Sequence, residues 1–219
     1  MTRAVDLSVY LVLDAGFIGQ RDILAVLQAA LAGGVTAVQL RDKLAPRSAL
    51  LAQARRIQTL LKATTVPLII NDRVDVAREI GADGAHVGQE DMPAAEARRL
   101  LGPGAILGLS VTKAEECATV DPAVVDHVGL GPIFATGTKP DAAMPLGIAG
   151  LRALRRRLAL PVVAIGGIDA DNTAEVIAAG ADGVAVVSAI CGASDPEAAT
   201  RRLARAVAAG RRRGRAVAS

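Results

Sequence analysis

Gln39, Arg41 and Lys43 follow one another at every second position near the end of a mainly apolar stretch, residues 35–40. Side chains two positions apart on a β-strand lie on the same face, so these three point the same way if the strand continues. Two cations and an amide at the end of a buried strand are costly unless an anion meets them. The spacing indicates an anion-binding strand end, with a solvated strand-to-loop junction as the alternative.

Carboxylates follow two further apolar stretches. Asp72 comes shortly after residues 67–70, and Asp91 comes shortly after residues 84–87. Mg²⁺ in proteins takes one or two carboxylates and completes its coordination with waters and phosphate oxygens. Asp72 and Asp91 are therefore candidate ligands of one magnesium ion, and helix capping is the alternative role for each.

Hydroxyl groups and another cation lie in the longest segment without periodicity, residues 129–147. This segment is typical of a mobile cover whose Thr136, Thr138 and Lys139 contact a phosphate. Ser110 places one more hydroxyl at a strand end, where a helix cap is the alternative role. No pairing of a nucleophile with a base is evident, which favours chemistry by charge stabilisation and positioning.

These groups must be positioned by short apolar stretches that alternate with amphipathic ones along the chain. The predicted strands are Val9–Leu13, Val35–Leu40, Pro67–Ile70, Gly84–Val87, Ala105–Leu109, Val124–Leu130, Val162–Ile165 and Val184–Val187. Segments with apolar residues three and four apart, such as residues 50–61, predict helices between them. A weak repeat supports a recurring strand–helix unit, with I-G-A-D-G-A-H-V at residues 80–87 and A-G-A-D-G-V-A-V at residues 179–186.

Eight such units predict an α/β fold, a single (β/α)8 TIM barrel over residues 1–209. A doubly wound open sheet is the alternative, but no G-x-G-x-x-G follows the first strand. Ligands of such a barrel bind at the carboxyl ends of the strands, and the loops after strands seven and eight often bind phosphate. Gly167 and Ser188 lie in those two loops, so we expect a phosphate site there.

Composition limits the class of protein. Of 219 residues, 52% are hydrophobic but only three are aromatic, so the core is aliphatic and few rings are available to stack on bases. The net charge of +3 owes much to residues 210–219, which we expect to be a disordered basic tail rather than a nucleic-acid site. Cys117 and Cys191 are expected to be reduced, packed thiols of a soluble cytoplasmic protein without membrane contact.

The two histidines, His86 and His127, are expected to be packed or to make a single hydrogen bond. Alanine-rich outer helices permit a homo-oligomer without specifying one.

Seven short motifs, in order, make the chain resemble the thiamine-phosphate synthase family. They are Q-L-R-D-K at residues 39–43, N-D at 71–72, G-Q-E-D at 88–91, G-L-S at 108–110, G-P-I-F-A-T-G-T-K at 131–139, I-G-G-I at 165–168 and V-S-A-I at 187–190. The resemblance covers most of the predicted barrel. It implies the condensation of hydroxymethylpyrimidine diphosphate with hydroxyethylthiazole phosphate, giving thiamine phosphate and pyrophosphate with Mg²⁺ as cofactor.

The resemblance also implies a role for individual residues. The pyrimidine diphosphate would be bound by Gln39, Leu40, Arg41, Asp42, Lys43, Asn71, Ser110 and Lys139. The thiazole phosphate would be bound by Thr136, Gly137, Thr138, Gly167, Val187 and Ser188. Asp72 and Asp91 would hold Mg²⁺, and the catalytic residues would be Arg41, Lys43, Ser110 and Lys139. In this family pyrophosphate leaves first and the thiazole nitrogen captures the resulting pyrimidinylmethyl cation, so no protein nucleophile is required.

Three other functions remain as alternatives. Thiazole tautomerases of the same fold use a histidine at the position of Thr112, and that position holds a histidine in many synthases too. A sugar-phosphate isomerase would need an acidic base at the rim instead of two aspartates at a metal. A basic binding module that uses the arginine-rich end of the chain would leave the rim residues unexplained.

Overall fold

The strands of the chain form one closed parallel barrel. The computed structural model describes residues 5–138 and 143–218, with the backbone alone for residues 216–218. The strands are β1 Val9–Asp14, β2 Ala37–Arg41, β3 Leu68–Asn71, β4 Gly84–Val87, β5 Ile106–Val111, β6 His127–Leu130, β7 Val162–Ile165 and β8 Gly183–Val186. Each strand pairs with the next in parallel, and β8 pairs with β1. The single (β/α)8 TIM barrel is confirmed, and the open doubly wound sheet is wrong.

Helices follow the strands and surround the barrel. They are α1 Ala15–Ile18, α2 Ile23–Gly33, α3 Arg47–Leu61, α4 Val74–Ile80, α5 Ala94–Leu101, α6 Gly147–Arg155, α7 Thr173–Ala178, α8 Ser188–Cys191 and α9 Pro196–Ala218. A 3₁₀ helix, η1 Ala114–Thr119, takes the place of an α-helix after β5. No helix in the described part of the chain is both long and apolar enough to cross a membrane.

The alternation of side chains along each strand separates two apolar layers. Leu11, Leu13 and Leu40 are buried between the barrel and the helices. Tyr10 and Val12 point into the barrel and pack in a smaller inner cluster. Because both faces of a parallel sheet are covered in this way, its strands are apolar almost throughout, with polar residues confined to the inner face.

Three aspartates fix the starts of neighbouring strands. Asp83, Asp126 and Asp182 each precede an even-numbered strand, and each carboxylate accepts a hydrogen bond from the N–H of the first or second residue of the preceding strand. The N···O distances are 2.9 Å from Leu68, 2.7 Å from Leu107 and 2.8 Å from Val162. Two of these aspartates, Asp83 and Asp182, belong to the A-D-G repeat, so the repeat helps to hold neighbouring strands in register.

The last helix contradicts one expectation from the sequence. Residues 210–218 belong to α9 and are not a disordered tail. Gly210 is buried against α7, where a side chain would meet Ala174 O and Ile177. The Arg211 guanidinium donates to Ser8 Oγ at 2.6 Å and to Asp182 O at 3.1 Å. These tertiary contacts stabilise a helical end that the charge of the segment alone would leave unstable.

Most strand boundaries differ from the prediction by one to three residues, and the differences in β5 and β6 bear on the site. β5 continues to Val111, so Ser110 lies within the strand and faces the barrel interior instead of capping a helix. Residues 124–126 are not part of β6, because the N–H groups of Val124 and Val125 donate to Asp121 O in a turn, each at 2.9 Å.

The burial of both cysteines as free thiols confirms the expectation of packed cysteines.

Candidate active site

A cavity of about 610 Å³ opens at the carboxyl ends of the strands. Twelve of the residues that the sequence assigns to a site line it: Gln39, Arg41, Lys43, Asn71, Asp72, Asp91, Ser110, Thr136, Thr138, Gly167, Val187 and Ser188. The structure therefore brings groups from β2, β3, β4, β5, β7 and β8 to one place, although they are far apart along the chain. Lys139 lies outside the described residues.

Three predicted residues are not part of the cavity lining. The Leu40 side chain is buried in the layer between barrel and helices, as strand alternation requires for the neighbour of Gln39. The Asp42 carboxylate accepts hydrogen bonds from the N–H groups of Leu44 and Ala45, at 3.2 and 3.0 Å, and so shapes the loop. Gly137 lies between Thr136 and Thr138, which do line the cavity.

The cations at the end of β2 are held by carboxylates. Arg41 forms an ion pair with Asp14, a buried residue at the end of β1 that the sequence analysis did not single out. Asp14 also accepts a hydrogen bond from Phe17 N at 3.0 Å, so it is fixed by the start of α1. Lys43 Nζ is 3.7 Å from Asp72 Oδ2 and remains half exposed. The guanidinium is thus held in place, whereas the ammonium group can move.

Asp72 and Asp91 lie side by side, close enough for a protonated carboxyl of one to bond to the other. Burial and the neighbouring Asp91 raise the pKa of Asp72 to about 6. The N–H of Gly88 donates to Asp91 Oδ2 at 2.7 Å and orients that carboxylate. Two hard oxygen donors that repel each other are suited to a divalent cation such as Mg²⁺. Among the described residues no third acidic, histidine or cysteine side chain joins them, which leaves the other coordination positions to waters and phosphate oxygens.

The two histidines that the sequence analysis treated as packing residues form part of the floor of the cavity, together with Tyr10, Gln39 and Ser110. His86 Nε2 is 2.9 Å from Ser110 Oγ, and the Gln39 amide donates to the Tyr10 hydroxyl at 3.0 Å. The rings of Tyr10 and His127 meet edge to face. Burial lowers the pKa of His86 to about 3 and that of His127 to about 4, so both imidazoles are neutral near pH 7. The expectation that each makes at most one hydrogen bond holds for the described residues.

Two glycines make room for these imidazoles. A Cβ at Gly108 would lie 2.2 Å from His86 Nδ1, and one at Gly129 would lie 2.9 Å from His86 Cε1. Gly108 faces inward on β5, between the two strands that carry histidines, and Gly129 faces inward on β6, two residues after His127. The alternation G-x-S on β5 and H-x-G on β6 was the sequence signal for this floor, because each pattern places its first and last residues on the inner face.

Polar contacts also fix the loop after β5. The Gln89 amide donates to Ser110 O at 2.8 Å, which joins the loop after β4 to the backbone of the serine. The Glu116 carboxylate accepts from Thr112 N at 2.6 Å and from Thr112 Oγ1 at 3.0 Å. Thr112, where the family resemblance leads one to expect a histidine, is thereby bound to η1 and is not a free catalytic group.

The opposite wall combines glycines with the start of a helix. Gly166 and Gly167 have φ of 98° and 63°, values that residues with a side chain rarely adopt. A Cβ at Gly167 would lie 2.6 Å from Ala135 O, so only glycine lets this loop meet the covering segment. Ser188 begins α8 on the neighbouring strand end. Backbone N–H groups and a hydroxyl at such a corner are suited to a phosphate group.

The base of the covering segment is anchored to this wall. Ile133 N donates to Ile165 O at 2.8 Å, and Phe134 N donates to Gly166 O at 3.0 Å. Thr136 Oγ1 accepts from Thr138 N at 3.3 Å, which turns the chain back at the mouth of the cavity. The segment therefore begins as an extension of the sheet. The hydroxyl groups of Thr136 and Thr138 then lie over the wall formed by Gly166, Gly167 and Ser188, here called the phosphate corner.

Comparison with known proteins gives a consistent result. A family model described as thiamine monophosphate synthase matches residues 9–190. A thiamine-phosphate synthase of Xanthobacter autotrophicus is 53% identical over 96% of this chain and 100% of its own length. One from Azorhizobium caulinodans is 50% identical over 97% of this chain and 100% of its own length.

A solved structure agrees with these sequences. The thiamine phosphate pyrophosphorylase from Pyrococcus furiosus superposes with a TM-score of 0.84 at 36% identity, covering 94% of this chain and 97% of its own. The region that the family model matches, residues 9–190, contains every strand of the barrel and all of the residues that line the candidate site. The chain therefore belongs to the thiamine monophosphate synthase family.

Proposed function

We propose that this chain is a thiamine-phosphate synthase. It joins hydroxymethylpyrimidine diphosphate to hydroxyethylthiazole phosphate, and it releases pyrophosphate and thiamine phosphate. The observation that carries the proposal is a single cavity in which a carboxylate pair and cations lie opposite a glycine-lined phosphate corner. Such a cavity suits one substrate with a metal-bound diphosphate and a second with a monophosphate.

The diphosphate side of the cavity promotes departure of the leaving group. Asp72 and Asp91 would hold Mg²⁺, which when bound supplies positive charge to the departing pyrophosphate. Arg41, fixed by Asp14, and the mobile Lys43 add positive charge on the same side. Lys139 is proposed to act with them on the strength of the family motif alone.

The opposite side positions the nucleophile. Gly167, Val187 and Ser188 would bind the thiazole phosphate, with Thr136 and Thr138 closing over it. The thiazole nitrogen would then attack the pyrimidinylmethyl cation that remains after pyrophosphate has left. His86 and His127 are neutral near pH 7 and add no charge to the floor, so the carboxylate pair and the cations would supply the charge stabilisation.

The direct test is pyrophosphate release in the presence of both substrates, with Mg²⁺ or with excess chelator. We expect release that needs both substrates and the metal, together with thiamine phosphate. Binding of thiazole phosphate without any release of pyrophosphate would contradict the proposal and favour the tautomerase. A cytoplasmic location and a homo-oligomer stay predictions.

Asp91→Ala tests the metal assignment. Loss of this carboxylate is expected to raise the Mg²⁺ concentration needed for half-maximal activity and to lower kcat/KM at least about a hundredfold. Steady-state kinetics over a Mg²⁺ titration measure both. Glu96→Ala, which removes an exposed carboxylate on α5 outside the cavity lining, is the matched control and should behave like the wild type. If Asp91→Ala kept the wild-type kcat/KM at every Mg²⁺ concentration, the assignment of Asp91 as a metal ligand would be wrong.

A further inference from the structure

Asp14 is a buried carboxylate in the cavity wall to which the proposed reaction gives no direct role. It ends β1, lines the cavity and is 4% exposed. In the parallel register of β1 and β2, its Cα lies opposite that of Arg41. A buried carboxylate is costly unless it is paired and hydrogen-bonded, so the partners of its two oxygens indicate its role.

One oxygen of Asp14 holds the cation of β2. Oδ2 pairs with Nη1 of Arg41. A guanidinium is planar with donors in fixed directions, so holding one nitrogen restricts the directions of the others. Among the described residues Arg41 has no further hydrogen-bond partner, so Nε and Nη2 are available to an anion in the cavity.

The other oxygen of Asp14 fixes a short helix that lies against α8. Oδ1 accepts from Phe17 N at 3.0 Å and caps α1, a helix too short to be stable by itself. A Cβ at Gly192, which ends α8, would lie 3.3 Å from Phe17 Cε1. Shortly after α1, the Arg21 guanidinium donates to Ala193 O at 3.1 Å. The end of β1 therefore supports α8 through α1.

The two groups fixed by Asp14 belong to opposite sides of the cavity. Arg41 is on β2, which carries the cations of the diphosphate side. Ser188, in the phosphate corner, begins α8 directly after β8. Because β1 pairs with β2 on one side and with β8 on the other, Asp14 lies between the two sites.

We propose that Asp14 is a positioning residue that links the two substrate sites: one carboxylate oxygen orients the Arg41 guanidinium, and the other fixes α1 against α8. The link sets the distance between the departing diphosphate and the bound monophosphate, on which the approach of the two reactants depends. The identity of the two substrates rests on the proposed function. The contacts of Asp14 are a property of the free protein.

Binding of inorganic pyrophosphate with Mg²⁺, measured by calorimetry, tests the link to Arg41 without catalysis. Asp14→Asn keeps an oxygen that can cap α1 but removes the anionic partner of the guanidinium. We expect the Kd for pyrophosphate to rise about tenfold, because a charge-assisted contact to the anion loses its geometry. If Asp14 acted through its charge alone, its removal would tighten binding of the anion, and that result would overturn the proposal.

Two comparisons show whether the effect passes through Arg41. In an Arg41→Ala background, Asp14→Asn should no longer weaken pyrophosphate binding, and a further loss of similar size would overturn the proposal. Asp22→Asn is the matched control. Asp22 caps α2 by accepting from Leu24 N at 3.0 Å, but it is exposed and is not among the residues that line the cavity. This variant should bind pyrophosphate like the wild type.

Steady-state kinetics test the link to α8. For Asp14→Asn we expect kcat/KM for the pyrimidine diphosphate to fall about tenfold, with KM for the thiazole phosphate unchanged. Asp14→Ala also removes the cap of α1, so KM for the thiazole phosphate should rise about fivefold as well. If this KM stayed at the wild-type value in Asp14→Ala, or rose equally in both variants, the link to α8 would be wrong.

The measurements also separate this proposal from the proposed function. If Asp14→Ala does not fold, pyrophosphate binding by Asp14→Asn and by its combination with Arg41→Ala still decides whether Asp14 positions the guanidinium. If the wild type binds pyrophosphate but forms no thiamine phosphate, the proposed function fails. The binding comparison then still confirms or overturns the role of Asp14 at Arg41.

Discussion

The backbone conformation of Asp72 and the surroundings of its carboxyl group both cost free energy in the folded protein. It has φ of 59°, a left-handed conformation that few residues other than glycine, asparagine and aspartate adopt readily. Its carboxyl is partly buried beside Asp91, and its pKa is raised from 3.8 to about 6. Such strain and repulsion are common at functional sites, where a ligand compensates for them.

Asp72→Asn is predicted to stabilise the metal-free protein near neutral pH. The folded protein holds the Asp72 proton up to a pH of about 6, whereas the unfolded chain loses it near 3.8, so the native carboxylate destabilises the fold increasingly across that range. The variant should gain on the order of 1 kcal/mol at pH 7.5 and nothing below pH 3.8. Asparagine also tolerates the left-handed conformation.

Denaturant unfolding in chelator at several pH values measures this difference. Addition of Mg²⁺ should stabilise the wild type and leave Asp72→Asn unchanged, because ligand binding to the folded state adds stability. A gain of stability that is the same at all pH values would show that the raised pKa is not its cause.

Ser188→Ala is predicted to weaken binding of the thiazole phosphate alone. The hydroxyl lies at the start of α8 in the phosphate corner and is remote from the carboxylate pair on β3 and β4. Loss of one hydrogen bond to a charged phosphate should raise KM for this substrate about tenfold. Initial rates with either substrate varied measure the effect. An equal rise in KM for the pyrimidine diphosphate would contradict the assignment.

At the scale of elements, α9 is held by close packing. It packs on α2 and α7, and Gly210 and Gly214 occupy different environments on it. A Cβ at Gly210 would lie 2.6 Å from Ala174 O, whereas the nearest atom to one at Gly214 would be Ala178 Cα at 3.8 Å. The same residue type therefore has different roles one turn apart.

Substitution of these glycines by alanine is predicted to have opposite effects. Gly210→Ala should destabilise the protein by about 1–3 kcal/mol, because α7 must move to admit the methyl group. Gly214→Ala should stabilise it by up to about 1 kcal/mol through helix propensity. The free energy of unfolding of both variants measures the contrast. Stabilisation by Gly210→Ala would mean that this end of α9 does not pack on α7.

At the scale of the molecule, the residues of the candidate site and the residues that stabilise the fold lie at opposite ends of the barrel. The carboxyl ends of the strands carry the cavity, and the opposite end carries structural networks. In one of these, Arg98 on α5 donates to Val124 O at 2.9 Å, to Ala105 O at 2.7 Å and to Asp126 at 2.6 Å. Asp126 in turn accepts from the N–H of Leu107 at the start of β5. One guanidinium thus joins a helix to two strand starts.

Arg98→Ala is predicted to reduce stability without changing KM for either substrate. Both partners are only 17% exposed, so the variant leaves the Asp126 carboxylate without its cation, at a cost of about 2–4 kcal/mol. Arg99→Ala is the matched control, since its side chain is 72% exposed and 3.9 Å from Glu96. It should change stability by less than about 0.5 kcal/mol. A comparable loss in the two variants would refute the role of the Arg98 network.

The sequence by itself determined the number of strand–helix units, the barrel and the strand ends that carry the site. These features depend on the local periodicity of apolar residues, which can be recognised in short stretches of the sequence. It also identified Gln39, Arg41 and Lys43 as neighbours on one face, and the structure places all three in the cavity. The same alternation places the Leu40 side chain on the opposite face, although the family resemblance assigned Leu40 to the site.

Only the tertiary structure decided which groups meet across the barrel. Asp72 and Asp91 share a site, and His86 lies over Gly108, because consecutive strands separated by a helix pair in a defined parallel register. The helical end of the chain was also decided there, since Gly210 and Arg211 are fixed by contacts with other elements. Periodicity specifies the face on which a side chain lies, but the neighbour it meets depends on closure of the barrel.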